Sequence, residues 1–361
     1  MPDRTIACIV GTRPNFVKMA ALLAELRMRP QFGLELIHTG QHFSPEMSAS
    51  FFEELELPEP DFNLGTGGGT QAEQTAEVMR RLEPLLVERR PDLVLVVGDV
   101  NSTLAAALVA AKLQIPLAHV EAGLRSFDRS MPEEINRLVT DTLAEWLFTT
   151  EPSAEKNLRA EGIEPHKIHH VGNVMIDTLL RFRDKASSSN VLEELGLVPQ
   201  HYAVVTLHRP SNVDDAAQLR ESIEMLLDLD RRLPVVFPVH PRTRARIAAA
   251  DIDTAGLLLI PSQSYLRFLR LMSEARLVLT DSGGIQEETT ILGVPCVTLR
   301  DNTERPLTVE QGTNHLGGTN KRGILALVDS VLGEPMPDAA RPPLWDGRAS
   351  SRIADILAMS K

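Results

Sequence analysis

Short β-branched or leucine-rich runs alternate with longer helical patterns through nearly the whole chain, which is the pattern of βαβ units and parallel sheets. The apolar runs predict strands at Ile6–Val10, Leu34–Thr39, Leu93–Val97, Leu117–Val120, Trp146–Thr149 and Ile168–Val171. A second series follows at Ala203–Leu207, Val235–Val239, Leu257–Ile260, Leu277–Thr280 and Cys296–Leu299. Between the two series lies Asp184–Asn190, with three consecutive serines, and the hinge is expected near Gly172–Asn173 or within this stretch. The predicted domains are therefore 1–172 and 173–345, with a final helical pattern in 346–361 returning to pack on the first. No repeat of solenoid length and no heptad run interrupts the pattern.

Length and composition fit that reading. The 361 residues are enough for two domains with separate cores. The 43% hydrophobic and 24% charged content excludes a disordered or low-complexity chain. A net charge of −12 with 4% aromatic residues argues against a nucleic-acid platform. The longest apolar tract, around Leu104 to Val120, is broken by Lys112, Gln114 and Pro116, so no membrane insertion is expected. Met1 leads almost directly into the strand-like Thr5–Val10, so no signal peptide is expected and the chain is read as cytoplasmic. Cys8 and Cys296, the only cysteines, each sit in an apolar strand pattern and read as buried free thiols.

In parallel α/β sheets ligands bind beyond the carboxyl ends of the strands. The polar clusters fall there: Gly11–Asn15, Thr39–His42, Gly98–Ser102 and His119–Arg125 in the first half, and His208–Asn212, His240–Arg242, Asp281–Gly284 and Arg300–Arg305 in the second. They are expected to face one cleft between two domains. Ser282-Gly283-Gly284 opens a helical pattern whose unpaired N–H groups and dipole suit a phosphate, although such a start also serves as a plain cap. Arg13, His208 and Arg305 carry charge for a diphosphate, and Glu288, one turn after Gly284, suits a ribose diol. The convergence favours a nucleoside diphosphate, while the lack of GxGxxG and GxxxxGK[ST] argues against a dinucleotide or a P-loop.

The first half supplies carboxylates instead. Asp99 and Glu121 directly follow buried strands, where an acid is costly unless paired or used. Glu133 opens the helix Pro132–Ala144, where complementing the helix dipole explains it equally well. Lys18, from position alone, reads as a solvated residue of the first helix. No HExxH, CxxC or clustered Asp/His spacing calls for a metal.

Taken together, the motifs resemble the non-hydrolysing UDP-N-acetylglucosamine 2-epimerases over nearly the full chain. The resemblance rests on Gly11-Thr12-Arg13-Pro14 with Lys18, Gly98-Asp99, His119 through Arg125, Pro132-Glu133-Glu134, Asp281 through Glu288, and Arg300-Asp301 with Thr303 through Pro306. It implies an α/β fold of two Rossmann-like domains in a B-type glycosyltransferase arrangement, a homodimer, and no cofactor or metal. It implies Ser282, Gly283, Gly284, Arg13 and His208 at the diphosphate, Glu288 at the ribose and Phe268 near the uracil. Lys18, Asp99, Glu121, Glu133 and Arg305 would surround the sugar, with Gln41 and Arg125 completing the substrate-binding set. The implied catalytic group is Asp99, Glu121, Glu133, Lys18 and His208. The implied chemistry is reversible C2 epimerisation of UDP-N-acetylglucosamine, by anti-elimination of UDP and its re-addition to 2-acetamidoglucal, feeding cell-surface polysaccharide synthesis.

The chain departs from the family pattern at Asn15, where many members are acidic, and at Arg209-Pro210-Ser211-Asn212, where many have Arg-Arg-Glu-Asn. Ser44 and Gly65–Thr70 stand where some bacterial members build a second, allosteric substrate site, so that device is expected to be missing or built differently. Two other enzyme readings stay open: a 2-epimerase of a modified UDP-sugar such as UDP-2,3-diacetamido-uronate, and a UDP-sugar glycosyltransferase of the same fold. A hydrolysing epimerase and a non-catalytic UDP-sugar sensor are the remaining alternatives.

Overall fold

Strands buried on both faces need unbroken apolar runs, and those runs set the two sheets of this protein. The computed structural model describes residues 2–41, 51–337, 339 and 341–359, so His42, Phe43 and Ser44 lie outside the described residues. Two units form: Met1–Arg181 with Pro343–Lys361, and Phe182–Pro342.

The first unit is built on a seven-stranded parallel sheet of order β3-β2-β1-β4-β5-β6-β7. Its strands are β1 (Arg4–Val10), β2 (Phe32–His38), β3 (Phe62–Asn63), β4 (Leu93–Val97), β5 (Leu117–Ala122), β6 (Trp146–Thr149) and β7 (Ile168–His170). Ala7, Ile9, Val94 and Val96 from its central strands pack into one apolar cluster with Leu82, Leu86 and Ala106. The strand order reverses between β1 and β4, so the loops after those strands diverge and open a crevice at their carboxyl ends.

The second unit repeats the plan with a six-stranded parallel sheet of order β10-β9-β8-β11-β12-β13. These strands are β8 (Ala203–Thr206), β9 (Val235–Val239), β10 (Leu258–Pro261), β11 (Leu277–Thr280), β12 (Cys296–Thr298) and β13 (Asn314–Leu316). Val205, Phe237, Leu277, Leu279 and Val297 form the centre of its core. Here the reversal falls between β8 and β11, which places the His208 and Ser282 loops side by side.

The sequence pattern did not predict β3 and β13. Both lie at sheet edges, are two and three residues long, and are largely exposed or half-exposed, so neither needs an apolar run. The units divide at 181/182 and 342/343, where the sequence reading divides at 172/173 and 345/346. The helix Val174–Ser187 runs across the first of these points. Its opening turns are held to the first unit, where the Thr178 hydroxyl donates to the Val17 carbonyl at 2.7 Å and accepts from the Ala21 amide at 3.3 Å.

The C-terminal helix Ala349–Met359 returns to the first unit and packs against the helix Arg13–Arg27. Asp177 accepts from the Ala349 and Ser350 amides at 3.2 and 2.6 Å, satisfying the open end of that helix. Arg29 pairs with Asp355 at 2.7 Å, and the indole of buried Trp345 donates to the Thr150 carbonyl at 2.9 Å. Cys8 and Cys296 are buried and free. No helix among the described residues is long and apolar enough to cross a membrane.

Candidate functional site

In the first unit, acids emerge side by side from the ends of β4 and β5. Glu121 is buried at an irregularity between Val120 and Ala122, and its φ of 71° lies in the left-handed region. For a residue with a Cβ such a conformation costs about 1–3 kcal/mol and must be held by its surroundings. Two buried cations hold it. Lys18 Nζ forms an ion pair with Oε2, and Arg137 Nη2 lies 3.3 Å from Oε1. The same Arg137 nitrogen donates to Asp99 Oδ2. Lys18, read from position as a surface residue, is thus 5% exposed and part of the site. Gly98 has a φ of 68°, and a Cβ there would lie 2.8 Å from Lys18 Nζ, so glycine is what lets the lysine reach Glu121.

Adjacent glutamates in the next helix, Pro132–Leu143, divide their labour. Glu134 is buried and accepts from the Ser126 amide and hydroxyl and the Phe127 amide at 2.8, 2.9 and 3.2 Å, which fixes the loop ahead of the helix. Glu133, the predicted site residue, is only half-buried in the first turn. Asn136 donates to the Asp99 carbonyl at 2.9 Å. His119 bridges the Gly98 carbonyl at 2.8 Å and Asp141 at 2.7 Å. Burial pushes the Asp141 carboxyl up, but His119 and Arg125 overcome it and hold the group below its ordinary value.

In the second unit, Asp281 is fully buried beside the loop that follows β8. Its carboxylate meets His208 Nδ1 at 2.7 Å and accepts from the His208 and Arg209 amides and the Asn212 side chain at 2.9, 2.8 and 3.1 Å. Burial raises this acid, and the His208 contact together with the amide donors more than offsets it, so Asp281 sits below the ordinary carboxylate range. The His208 ring is about half exposed, and with Nδ1 on Asp281 its Nε2 is the nitrogen available to a ligand. Pro210 begins a short helix, Pro210–Val213, immediately after this loop.

The helix Gly283–Leu292 opens at Ser282, whose side chain makes no capping bond to it, so its first-turn amides keep their donor character. A Cβ on Gly283 would strike the guanidinium of Arg305. That arginine is buried, lying 3.0 Å from Glu287 and 2.7 Å from Glu304. Glu304 also holds Arg300 at 3.0 Å, with Arg209 at 3.7 Å. Guanidinium groups are thus gathered beside a helix N-terminus by buried acids, an arrangement suited to a polyanion. Further along the helix, Glu288 accepts from the Tyr265 hydroxyl at 2.9 Å. Burial raises its carboxyl to about 7, against the pull of the tyrosine bond and with a push from Glu287. Phe268 is half-buried one turn after Tyr265 on the helix Tyr265–Ser273.

The structure therefore groups Lys18, Asp99 and Glu121 in one unit, and His208, Ser282, Gly283, Gly284, Glu288 and Arg305 along neighbouring strand ends of the other. Arg13 opens the helix Arg13–Arg27 and stacks 4.7 Å from the centre of the Phe51 ring, with burial lowering its basicity. Two residues of the expected substrate-binding set also bond to the scaffold. Gln41 Oε1 accepts from the Ser102 amide and hydroxyl at 3.0 and 2.7 Å. Arg125 spends its guanidinium on Glu161, Asp141 and the Leu124 carbonyl.

Sequence reasoning assigned no role of its own to Arg137, Asp281, Tyr265, Glu287 or Glu304. One signal was available. Glu134, Arg137 and Asp141, spaced by three and four, form a polar stripe on the buried face of their helix, where a purely structural helix would carry apolar residues.

The profile of the UDP-N-acetylglucosamine 2-epimerase family matches residues 24–358. Among similar proteins is the UDP-N-acetylglucosamine 2-epimerase of Methanocaldococcus jannaschii, 41% identical over 99% of both chains. Another is the UDP-2,3-diacetamido-2,3-dideoxy-D-glucuronate 2-epimerase of Pseudomonas aeruginosa, 41% identical over 98% of this chain and 99% of the other. A crystal structure of the M. jannaschii enzyme in complex with UDP-GlcNAc and UDP superposes with a TM-score of 0.93 at 42% identity, covering 99% of this chain and 100% of that one.

Proposed function

Because the chain belongs to the UDP-N-acetylglucosamine 2-epimerase family, we propose that it interconverts UDP-N-acetylglucosamine and UDP-N-acetylmannosamine by elimination and re-addition of UDP. The observation that carries this reading is the pair of acids at the ends of β4 and β5, Asp99 and Glu121, held by Lys18 and Arg137. A binding protein or sensor has no need of such a charged, partly strained group.

The proposed division of work follows from the groups present. Ser282, Gly283, Gly284, His208, Arg305 and Arg13 take the diphosphate, Glu288 the ribose and the Phe268 helix the uracil. The C2 proton of an N-acetylhexosamine is not acidic, so the bond from C1 to the diphosphate oxygen must weaken as the proton leaves. Cationic groups and amide dipoles around the diphosphate accept the departing charge. The C2–H electron pair becomes the C1=C2 bond, the proton passes to a carboxylate of the Asp99, Glu121 and Glu133 group, and UDP departs with the C1–O pair. Return of a proton to the other face of C2, with attack of UDP oxygen on C1, completes the epimerisation. Holding UDP and the glycal together favours re-addition over escape. The reading carries with it a homodimer, a cytoplasmic location and supply of a cell-surface polysaccharide pathway, as the family resemblance implies.

The similarity to the P. aeruginosa enzyme favours a second reading, in which the same chemistry acts on a diacetamido-uronate. One experiment tests both. The protein is incubated in heavy water with UDP-N-acetylglucosamine or with the diacetamido-uronate, and the products are examined by NMR. Deuterium at C2 of an epimerised product supports the mechanism and identifies the substrate. Retention of the original hydrogen, or no product from either sugar, overturns it.

A further inference from the structure

Arg137 is fully buried, yet it touches two of the three acids in the proposed proton-transfer group. Its Nη2 donates to Asp99 Oδ2 and stands 3.3 Å from Glu121 Oε1, so a single guanidinium nitrogen bridges the ends of two neighbouring strands. Asn136, the preceding residue, fixes the Asp99 main chain through its carbonyl, and His119 fixes the Gly98 carbonyl from the other side. Lys18 pairs with Glu121. The groups around the pair include Lys18 from the helix Arg13–Arg27, His119 from β5, and Asn136 and Arg137 from the helix Pro132–Leu143, with Asp141 behind His119. Two carboxylates brought this close compete for one proton unless cations separate them. Asp99 is the more exposed of the two, at 16% against 2%.

Resting on the epimerase reading, we propose that Arg137 is a positioning residue: its shared guanidinium offsets the repulsion between Asp99 and Glu121 and holds them at fixed spacing, so that one can take the C2 proton. It does not bind UDP, which is assigned to other groups. Loss of the guanidinium therefore damages turnover and spares nucleotide affinity. A lysine keeps the charge without the planar fork, so it restores placement only in part.

The test compares Arg137→Met and Arg137→Lys with the wild type, using UDP-N-acetylglucosamine for kinetics and UDP for calorimetry, with circular dichroism as the check on folding. For Arg137→Met we expect kcat to fall by roughly 100-fold or more while KM and UDP affinity stay within about threefold. Arg137→Lys should regain about tenfold of the lost rate. A kcat within about threefold of wild type in Arg137→Met overturns the proposal. So does a rate loss matched by lost UDP binding, or one that Arg137→Lys does not lessen. If Arg137→Met does not fold, Arg137→Lys decides: reduced kcat with KM and UDP binding intact supports the role, and unchanged kcat refutes it. Wild type that puts no deuterium into C2 would sink the epimerase reading itself. Wild type that exchanges, beside variants that behave identically to it, removes only the role of Arg137.

Discussion

Glu288 offers a stability measurement that tests the nucleotide-binding unit without any substrate. Its carboxyl is buried against Tyr265, and burial lifts it from 4.5 to about 7. A raised acid favours the protonated folded state, so its contribution to stability is complete below about 4.5 and is lost as pH rises through about 7. Glu288→Gln keeps the shape, still accepts the tyrosine bond, and has no proton to lose. The interval is roughly 2.5 pH units, which at about 1.36 kcal/mol per unit amounts to about 3 kcal/mol. Wild type should therefore lose about 3 kcal/mol relative to Glu288→Gln between pH 4.5 and 8, all other titrations cancelling in the difference. With m values of about 1–3 kcal/mol/M, that is a relative change of roughly 1–3 M in urea midpoint. The chain carries its own local probes: both tryptophans, Trp146 and Trp345, lie in the first unit, and both tyrosines, Tyr202 and Tyr265, in the second. The change should appear in the tyrosine-reported transition. A difference between the two proteins that is constant from pH 4.5 to 8 would refute the reasoning. If the ribose bonds to the ionised carboxylate, UDP binding near pH 7 should also release a proton from wild type and none from Glu288→Gln, as buffers of different ionisation enthalpy would show.

Asp99→Asn and Glu121→Gln should retain UDP affinity and lose most turnover and C2 deuterium uptake, and near-wild-type rates in both would make these acids purely structural. Arg13→Ala and His208→Ala should each weaken UDP binding by about 1.5–3 kcal/mol in calorimetry, the worth of a charge-assisted bond, and unchanged affinity in both would move the diphosphate elsewhere. Cys8 and Cys296 are buried, with burial pushing both thiols up to about 12, so a thiol reagent should modify neither at neutral pH until denaturant is added. Rapid labelling of either in the native protein would contradict the packing of β1 or β12.

The fold was legible because a strand buried on both faces must be apolar throughout, as in Leu93–Val97 and Leu277–Thr280. The edge strand Asn314–Leu316 carries no such demand and left no trace. For the site, the sequence exposes groups that end strands and open helices, because their position in the pattern is one-dimensional: Asp99, Glu121, His208 and Ser282 all qualify. What it hides is the partner of each. Whether Lys18 is a surface residue or the counter-ion of Glu121 depends on Gly98 leaving room for it, and that meeting joins elements some eighty residues apart.

Arg125 and Arg137 show why charge alone does not separate scaffold from machinery. Both are buried and both are ion-paired. Arg125 spends itself on Glu161, Asp141 and a carbonyl, and Asp141 is shared with His119, which braces the main chain. Arg137 instead spends itself on two acids at neighbouring strand ends. Burying an arginine with its acid often yields no net stability over apolar residues of the same size. An ion pair at the mouth of a parallel sheet is therefore better explained by the acids it places than by the stability it adds. That distinction lies in where the partner acids sit, at neighbouring strand ends for Arg137 and within or just after helices for Arg125, and it becomes visible only once the strands are laid side by side.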